Sequence, residues 1–474
     1  MRMSHATMYA RLLESDASCN GRFFAGVLTT GIYCLPACRA RKPKPENVRF
    51  FPTVEAARAA GLRPCRKCHP DDFARGADPV LADIETLVAE IRADPGAFRD
   101  VRAVVHRSGF GTTRLFELFR LHYHATPADI LLRARLARAR KALTASDAGL
   151  VEIASAVGFE SLSVFHEQFR RHHGLTPGAY RELRTARTFA IDLPASYPLP
   201  YFRRALSRDV HSLTERLDGD RYVAGMQFPS GPAVVRVGLA DNRLEVETPA
   251  GAAVEAHAVV SGLAGLAQDA SGFATLAKRL GFARLVAGRA GLRLSQTASV
   301  FDGLLWSIIG QQINFPFACL LKRRLVERAG TRIHDGLYAP PTPATIAQLE
   351  PEDLQPLQFS RQKAGYLIAT ARLITGEKLD LAALRVMSAT RAERTLLAVH
   401  GLGPWSVNYV MMRALGFADC VPLGDTGVTS GLQSLLGLEE RPDIDATRRL
   451  MAMFSPYRSL ATAHLWQFNQ PAPA

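Results

Sequence analysis

The sequence predicts a multidomain protein that is mainly α-helical and contains smaller α+β modules. Its 474 residues are enough for about three or four domains of ordinary size. Five of the seven cysteines lie within residues 1–75. A pattern of about fifty residues occurs twice between residues 100 and 184. From Thr297 onward the apolar periodicity is almost entirely helical. We therefore expect four domains, at residues 1–76, 80–185, 188–292 and 293–470.

The composition favours a polyanionic partner. The formal net charge is +14 and the isoelectric point is near 9.7. Nucleic acid is favoured over a membrane surface, because the chain shows neither an apolar stretch of membrane-spanning length nor a basic amphipathic tail. The N-terminal residues lead into no apolar signal core, so we expect a cytoplasmic protein with reduced cysteines and no membrane partner.

Two close cysteine pairs predict a metal site in the first domain. Cys34 and Cys38 are separated by three residues, and Cys65 and Cys68 by two. Paired thiols joined by an intervening segment are typical of a tetrahedral four-thiolate site for one zinc ion. The alternative is four unconnected buried thiols, and Cys19, outside the pairs, is expected in the core. Basic residues around the pairs would form a rim suited to phosphate contact: Arg39, Arg41, Lys42, Lys44, Arg63, Arg66 and Lys67.

The stretches Thr29–Arg41 (TTGIYCLPACRAR) and Arg63–Cys68 (RPCRKC) closely resemble the N-terminal domain of Ada-type adaptive-response regulators. The similarity covers most of residues 6–72. It implies that Cys34 is both a zinc ligand and the acceptor of a methyl group from a DNA methylphosphotriester, since zinc keeps thiolates deprotonated and nucleophilic. It also implies that DNA-backbone contacts are made by Thr30, Arg41 and Arg63. The residues alone leave a purely structural zinc as the alternative.

The second domain contains two similar halves, each predicted as a helix, a glycine-containing turn and a second helix. Ser108-Gly109-Phe110 and Thr126-Pro127 recur as Val157-Gly158-Phe159 and Thr176-Pro177. The pattern resembles the two helix-turn-helix units of AraC-type regulators, which implies promoter DNA and RNA polymerase as partners. Candidates for reading bases are Thr112, Thr113, Arg114, Glu117, Ser161, Ser163, His166 and Gln168. The alternative is that these residues form ordinary solvated helix faces.

The third domain changes to a period of two. Alternating apolar residues predict strands near residues 189–193, 235–239 and 244–246, with a hairpin turn at Asp241-Asn242. A helix is expected from Phe202 to Leu217. We therefore expect a small antiparallel sheet with helices, and the region resembles the N-terminal α+β domain of 3-methyladenine DNA glycosylase II.

The fourth domain is organised around a turn and an aspartate. Arg391–Val399 and Trp405–Leu415 are expected as helices joined by Gly401-Leu402-Gly403-Pro404, since glycine permits positive φ and proline suits the first turn of a helix. N–H groups at such a turn can hold a phosphate. The segment resembles the helix-hairpin-helix of base-excision DNA glycosylases, in which a catalytic aspartate follows at about the position of Asp425. From the turn alone, a helical hairpin within a core is the alternative.

This resemblance implies roles for further residues. Asp425 would stabilise the positive charge that grows on the sugar as the bond to the base breaks. The extruded base would be held by Trp405, Tyr409 and Trp466. Gly401 and Gly403 would contact the DNA backbone, and the hairpin would hold a monovalent cation. Gln311 would reach the DNA near the gap, while Gln312 stands where the family inserts a leucine wedge.

Two absences narrow the expected chemistry. Trp405 occupies the position at which strand-cutting relatives carry a lysine, which predicts a monofunctional hydrolase. No cysteine follows Cys420, so we expect no iron–sulfur cluster near the end of the sequence.

The resemblances together imply a monomeric DNA alkylation-repair protein acting on double-stranded DNA. It would hydrolyse the N-glycosidic bond of alkylated bases of the 3-methyladenine type, accept a methyl group on Cys34, and activate transcription of the adaptive response. One alternative is a transcriptional regulator whose glycosylase-like half binds DNA but is catalytically silent. The other is a glycosylase whose front half is only a DNA-anchoring zinc module.

Overall fold

A computed structural model describes residues 3–16, 19–38, 40–74, 76 and 78–473. The chain divides into two compact units, residues 1–88 and residues 89–474. Arg39 of the expected basic rim lies outside the described residues. Within the described ranges, no helix combines the length and the apolar character needed to cross a bilayer.

The first unit is built on a four-stranded sheet. Its elements are α1 (His5–Leu13), β1 (Phe24–Val27), β2 (Ile32–Cys34), β3 (Val48–Phe51), α2 (Val54–Ala59), β4 (Arg63–Pro64) and α3 (Pro70–Ala74). The strand order is β3-β1-β2-β4, and only β2 and β4 are parallel. Parallel strands end at the same sheet edge, so Cys34 at the end of β2 lies beside Cys65, which directly follows β4. Helix α4 (Pro79–Ala93) leads into the second unit.

The expected duplicated helix-turn-helix pattern is confirmed. Its helices are α5 (Val101–Ser108), α6 (Thr112–Tyr123), α7 (Pro127–Ala145), α8 (Leu150–Ala156), α9 (Leu162–His173) and α10 (Pro177–Glu182). Thr126 and Thr176 cap the N-termini of α7 and α10 with their side chains, and proline occupies the first turn of both helices. The repeated Thr-Pro pair therefore marks two equivalent helix starts.

The α+β region forms a five-stranded antiparallel sheet. Its elements are β5 (Thr188–Asp192), α11 (Leu199–Leu206), β6 (Glu215–Asp218), β7 (Arg221–Phe228), β8 (Gly231–Ala240), β9 (Arg243–Glu247), α12 (Ala253–Leu263), α13 (Ala270–Arg279) and α14 (Ala283–Val286). The strand order is β5-β9-β8-β7-β6. The expected helix to Leu217 is wrong. It ends at Leu206, and residues 215–218 instead pair with β7 as an edge strand whose side chains alternate between exposed and half-buried.

The remaining residues are mainly helical. Their elements are α15 (Val300–Ile309), α16 (Phe315–Ala329), β10 (Thr331–Arg332), β11 (Tyr338–Ala339), α17 (Pro343–Ala347), α18 (Pro351–Leu354), α19 (Arg361–Thr375), α20 (Leu381–Leu384), α21 (Ala389–Leu397), α22 (Pro404–Arg413), α23 (Thr426–Leu436), α24 (Ile444–Met451) and α25 (Arg458–Phe468). Helices α15, α16, α19 and α22 share one apolar core. Helix α15 lies close to α22, because Gly303 leaves room for Ala414. The core therefore fixes the hairpin against the end of α15.

Candidate active site and DNA-binding surfaces

The turn between α21 and α22 has the predicted hairpin geometry. Gly401 adopts a φ of 93°, which glycine reaches at low cost, and a side chain there would collide with the ring of Tyr366. Gly403 is the N-cap residue of α22, and Pro404 is its first residue. Gly403 is exposed, so the N-terminus of α22 is open to a ligand at the surface.

Asp425 is the N-cap residue of α23, and its carboxylate is held by three N–H donors. Oδ1 accepts hydrogen bonds from the backbone nitrogen of Val428 over 3.0 Å and from Nε1 of Trp466 over 2.9 Å. Oδ2 accepts from Nε1 of Trp405 over 3.3 Å. The side chain is half-buried at a helix N-terminus, where a negative charge is favoured. Its orientation is therefore set by one backbone and two aromatic groups.

Asp425 lies in the wall of a cavity of about 1830 Å³. The same cavity is lined by Gly401, Gly403 and all three aromatic candidates. Trp405 and Tyr409, one helical turn apart on α22, stack with ring centroids 5.4 Å apart and an interplanar angle of 23°. The structure thus brings the predicted carboxylate, aromatic residues and hairpin together at one opening.

The end of α15 joins the hairpin to this cavity. Nε2 of Gln311 donates to the backbone oxygen of Gly401 over 2.8 Å and to Oγ of Ser406 over 3.0 Å. The amide of Gln311 is therefore bonded to the hairpin. Gln312 is exposed, lines the cavity and adopts a φ of 56°, a conformation that costs energy for a non-glycine residue.

Lys363 supports the same turn. Its Nζ donates to the backbone oxygens of Ile309 over 2.6 Å and Gln311 over 3.1 Å, which satisfies carbonyl groups at the end of α15. Partial burial lowers the pKa of Lys363. These contacts join residues more than fifty positions apart, so no local pattern in the sequence indicates them.

Asp419 is a buried carboxylate that sequence reasoning missed. It accepts hydrogen bonds from Nε of Arg458 over 2.8 Å and from Nη2 of Arg458 over 2.9 Å, a bidentate arrangement. Ser455 donates a further hydrogen bond over 2.8 Å. Burial opposes ionisation of Asp419, yet its bonds to Arg458 hold the pKa of the carboxyl below its usual value. Arg458 begins α25, so this pair anchors the helix that carries Trp466.

The four predicted cysteine ligands converge in the first unit. Their sulfur atoms all lie within 4.8 Å of one another, and those of Cys38 and Cys65 are 4.0 Å apart. Sulfur atoms around one tetrahedral zinc are about 3.8 Å apart, given a zinc–sulfur bond of about 2.3 Å. Backbone N–H groups of Leu35 and Lys67 donate to Cys68 and Cys65. The donor set therefore fits zinc in geometry and in chemistry.

Hydrogen bonds among the cysteine thiols shift the pKa values of Cys34 and Cys38 in opposite directions. The bond with Cys38 is the main cause that raises the pKa of Cys34, while the same bond lowers the pKa of Cys38. Thr30, Arg41 and Arg63 are all exposed in this unit, where a phosphate can reach them.

The base-reading candidates lie on α6 and at the start of α9. Arg114 and Ser163 are exposed, and His166 is half-buried. Ser161 is the N-cap residue of α9, because its Oγ accepts a hydrogen bond from the backbone nitrogen of Val164. The hydroxyl of Ser161 is thus engaged in holding the helix.

Three family models match the chain. The metal binding domain of Ada matches residues 7–71, and a helix-turn-helix domain matches residues 104–183. The model described as HhH-GPD superfamily base excision DNA repair protein matches residues 305–456.

Relatives and a solved structure agree with these matches. The chain is 28% identical over 486 residues to the "Probable bifunctional transcriptional activator/DNA repair enzyme AlkA" of Mycobacterium tuberculosis, covering 97% of this chain and 95% of that protein. It is 33% identical over 180 residues to a DNA-3-methyladenine glycosylase of Bacillus subtilis, covering 37% of this chain and 59% of that protein. The 3-methyladenine DNA glycosylase structure from Archaeoglobus fulgidus aligns with a TM-score of 0.51 at 20% identity, over 59% of this chain and 97% of that one, which shows similarity of fold.

The hairpin, the aspartate-bearing aromatic cavity and the surrounding helices define a helix-hairpin-helix domain of the base-excision repair class. The chain as a whole joins this domain to an Ada-type metal-binding domain and an AraC-type helix-turn-helix domain. These three lie in the order metal-binding, helix-turn-helix, helix-hairpin-helix. The expected combination of modules and the zinc-type cysteine site are confirmed.

Proposed function

We propose that this protein repairs alkylated double-stranded DNA and activates transcription in response to the damage. Its C-terminal half is a monofunctional glycosylase that releases alkylated bases of the 3-methyladenine type. The observation that carries this proposal is the position of Asp425. Its half-buried carboxylate shares a cavity with the hairpin glycines and is hydrogen-bonded by both indoles of the aromatic wall.

The reaction uses the weakness of the bond to a charged base. A base alkylated at a ring nitrogen is positively charged and leaves readily, so the protein supplies no strong acid. The extruded base packs against the stacked rings of Trp405 and Tyr409, whose π-faces favour a cation. The bond electrons leave with the base, and the ionised Asp425 stabilises the positive sugar. Water then adds to the sugar carbon, and its proton passes to the carboxylate.

Other residues hold the DNA. Gly401 and Gly403 offer backbone groups to a phosphate, with a monovalent cation at the hairpin as part of the same proposal. Gln312, exposed and in a constrained backbone conformation, occupies the gap left by the extruded nucleotide. Gln311 supports the hairpin beside the gap through its bonds to Gly401 and Ser406.

The first domain accepts a methyl group on Cys34 from a DNA methylphosphotriester. The sulfur forms a bond to the methyl carbon, the carbon–oxygen bond breaks, and the phosphodiester anion leaves. Zinc held by Cys34, Cys38, Cys65 and Cys68 keeps the thiols deprotonated. Methylation removes one negative charge from the cluster, so repulsion from DNA phosphates falls and affinity for DNA rises. Thr30, Arg41 and Arg63 contact the DNA backbone beside it.

The helix-turn-helix domain binds promoter DNA through Arg114, Ser161, Ser163 and His166. On the promoter it contacts RNA polymerase and activates transcription. The proposed domains span residues 1–76, 80–185, 188–292 and 293–470. The protein acts as a monomer in the cytoplasm.

One experiment separates this proposal from its alternatives. The full-length zinc-loaded protein is incubated with methylated duplex DNA, released bases are identified by chromatography, and the intact protein is weighed by mass spectrometry. We expect released methylated bases and a mass gain of one methyl group on Cys34. Methyl transfer without base release would favour a regulator with a silent glycosylase-like half. Base release with unmodified Cys34 would favour a glycosylase with a zinc anchor.

A further inference from the structure

The end of the first recognition helix, α6, contacts the helix-hairpin-helix region directly. His124 closes α6 with a φ of 52°, in the left-handed region. Its Nδ1 accepts a hydrogen bond from the backbone nitrogen of Asp419 over 3.2 Å and lies 3.9 Å from Sγ of Cys420. Its ring meets that of Phe417 edge-on, with centroids 5.6 Å apart. His124 therefore seats on residues 417–421, which we call the bracing segment.

His124 is suited to this bond. Burial lowers the pKa of His124 to about 4, so the imidazole is neutral at neutral pH and Nδ1 is free to accept. Two neighbouring contacts reinforce the seat. Nδ1 of His122 is 2.9 Å from Oγ1 of Thr390 on α21, and Arg92 donates to the backbone oxygen of Val386. The helix-turn-helix domain thus touches the first helix of the hairpin as well as the bracing segment.

The bracing segment is tied to both helices that hold Asp425. The backbone nitrogen of Val421 donates to Oδ1 of Asn408 over 3.2 Å, on the helix that carries Trp405. The carboxylate of Asp419 binds Arg458 at the start of the helix that carries Trp466. Asp425 follows four residues after Val421. A shift of this segment would therefore move the carboxylate relative to its two indole donors.

We propose that His124 is a positioning residue for the glycosylase, fixing the bracing segment so that Asp425 stays aligned between Trp405 and Trp466. The helix-turn-helix domain then has a second role, as structural support for the repair site. This inference rests on the proposed function, since the reaction affected is base release assisted by Asp425.

Two substitutions in the full-length protein test the role. His124→Gly keeps the left-handed backbone at no steric cost but removes the acceptor. His124→Asn tolerates the same backbone and places Oδ1 near the position of Nδ1. Glu377→Gly is the matched control, because Glu377 is an exposed residue with a φ of 57°. The readouts are the single-turnover rate of base release, the affinity for lesion DNA, and hydrogen exchange of residues 417–425.

We expect His124→Gly to lower the single-turnover rate about 5- to 30-fold. The buried N–H of Asp419 loses its acceptor, which disfavours the aligned conformation of the bracing segment by about this factor. The affinity for lesion DNA should change by less than about twofold, because no DNA contact is removed. Hydrogen exchange of the bracing segment should quicken, His124→Asn should restore most of the rate and protection, and Glu377→Gly should match the wild type.

Three results would overturn the proposal. One is a wild-type rate with wild-type exchange in a folded His124→Gly protein. Another is a loss of rate that His124→Asn does not restore at all. The third needs no variant: an Asp419 amide that exchanges at the solvent rate in the wild-type protein. If the wild-type protein releases no base, the proposed function fails separately, and hydrogen exchange still decides whether His124 fixes the segment.

Discussion

The carboxylate of Asp425 accepts a hydrogen bond over 2.9 Å from the indole nitrogen of Trp466, 41 residues later in the chain. This bond ties the last helix, α25, to the N-terminus of α23. Trp405 approaches the other carboxylate oxygen over 3.3 Å. The aromatic groups proposed to contact the base therefore also orient the charge proposed to stabilise the sugar.

Replacing Asp425 by asparagine should abolish most base release without unfolding the protein. Asparagine is as good an N-cap residue as aspartate, so α23 should persist. Its amide carries no charge, so stabilisation of the positive sugar is lost and the single-turnover rate should fall by about 100-fold or more. Asp443→Asn, which changes the N-cap residue of α24, is the matched control and should retain the wild-type rate. An Asp425→Asn protein with full activity would rule out the assigned role.

Trp466→Phe should separate the two functions of that residue. Phenylalanine keeps an aromatic face but lacks the N–H donor to Asp425, so we expect the single-turnover rate to fall about tenfold. Trp405→Phe should cost less, because its hydrogen bond is longer. Tyr457→Phe removes a comparable donor, over 3.0 Å to Asp269, and should leave base release unchanged. Equal rates for Trp466→Phe and Tyr457→Phe would contradict a role for the indole donor.

The parts of this site that sequence could predict are local. The hairpin depends on the chemistry of glycine and proline within one turn, and the Trp405–Tyr409 stack depends on their spacing along one helix. The spacing of the two cysteine pairs was enough to predict that their four thiols form one cluster. Trp466 and Asp425 entered through resemblance, since no periodicity joins positions so far apart in the chain.

The parts that sequence missed are long-range or decided by competition. The Asp419–Arg458 pair and the His124 contact join helices distant in sequence, so no local pattern indicates them. Residues 215–217 were expected in a helix, but they belong to the strand β6, which pairs with β7. Helix propensity is weak, and tertiary partners override it.

Metal binding should require the cysteine cluster and not the neighbouring thiol. Cys38→Ala removes one of four ligands, so we expect zinc to be lost on gel filtration and the first unit to lose its cooperative unfolding. Cys19→Ala is the matched control: Cys19 is also buried but lies outside the cluster, so that protein should keep one zinc per chain. Atomic emission measures the metal. Stoichiometric zinc in Cys38→Ala would contradict a four-thiolate site.

Promoter binding should depend on the recognition helices. Arg114→Ala should weaken binding to the target promoter by about tenfold and reduce the salt dependence if the side chain contacts phosphate. Ser163→Ala tests the second helix-turn-helix motif without disturbing the N-cap at Ser161. Arg243→Ala, an exposed arginine on β9, is the control and should bind normally. Fluorescence anisotropy at several salt concentrations measures both effects. Wild-type affinity in the Arg114→Ala protein would show that Arg114 of the first helix-turn-helix motif does not contact the promoter.

Acid should destabilise the second unit through its buried histidines. Burial lowers the pKa of His464 to about 3 and those of His124 and His257 to about 4. Each is neutral in the folded state at pH 5, whereas in the unfolded chain a histidine titrates near pH 6.5. The unfolded state therefore binds more protons, so stability is full above about pH 6.5 and falls as the pH drops towards 4.

The contribution of His464 to this pH dependence of stability can be measured separately. Below pH 6.5 each such histidine contributes up to about 1.4 kcal/mol per pH unit to the slope of the unfolding free energy. Nδ1 of His464 donates to the backbone oxygen of Leu285 over 3.1 Å, and asparagine can make a similar bond without titrating. Urea unfolding of His464→Asn between pH 7.5 and 5, a range chosen around the histidine pKa of about 6.5, should therefore show a slope smaller by about one proton. An unchanged slope would mean that His464 does not stay neutral in the folded protein.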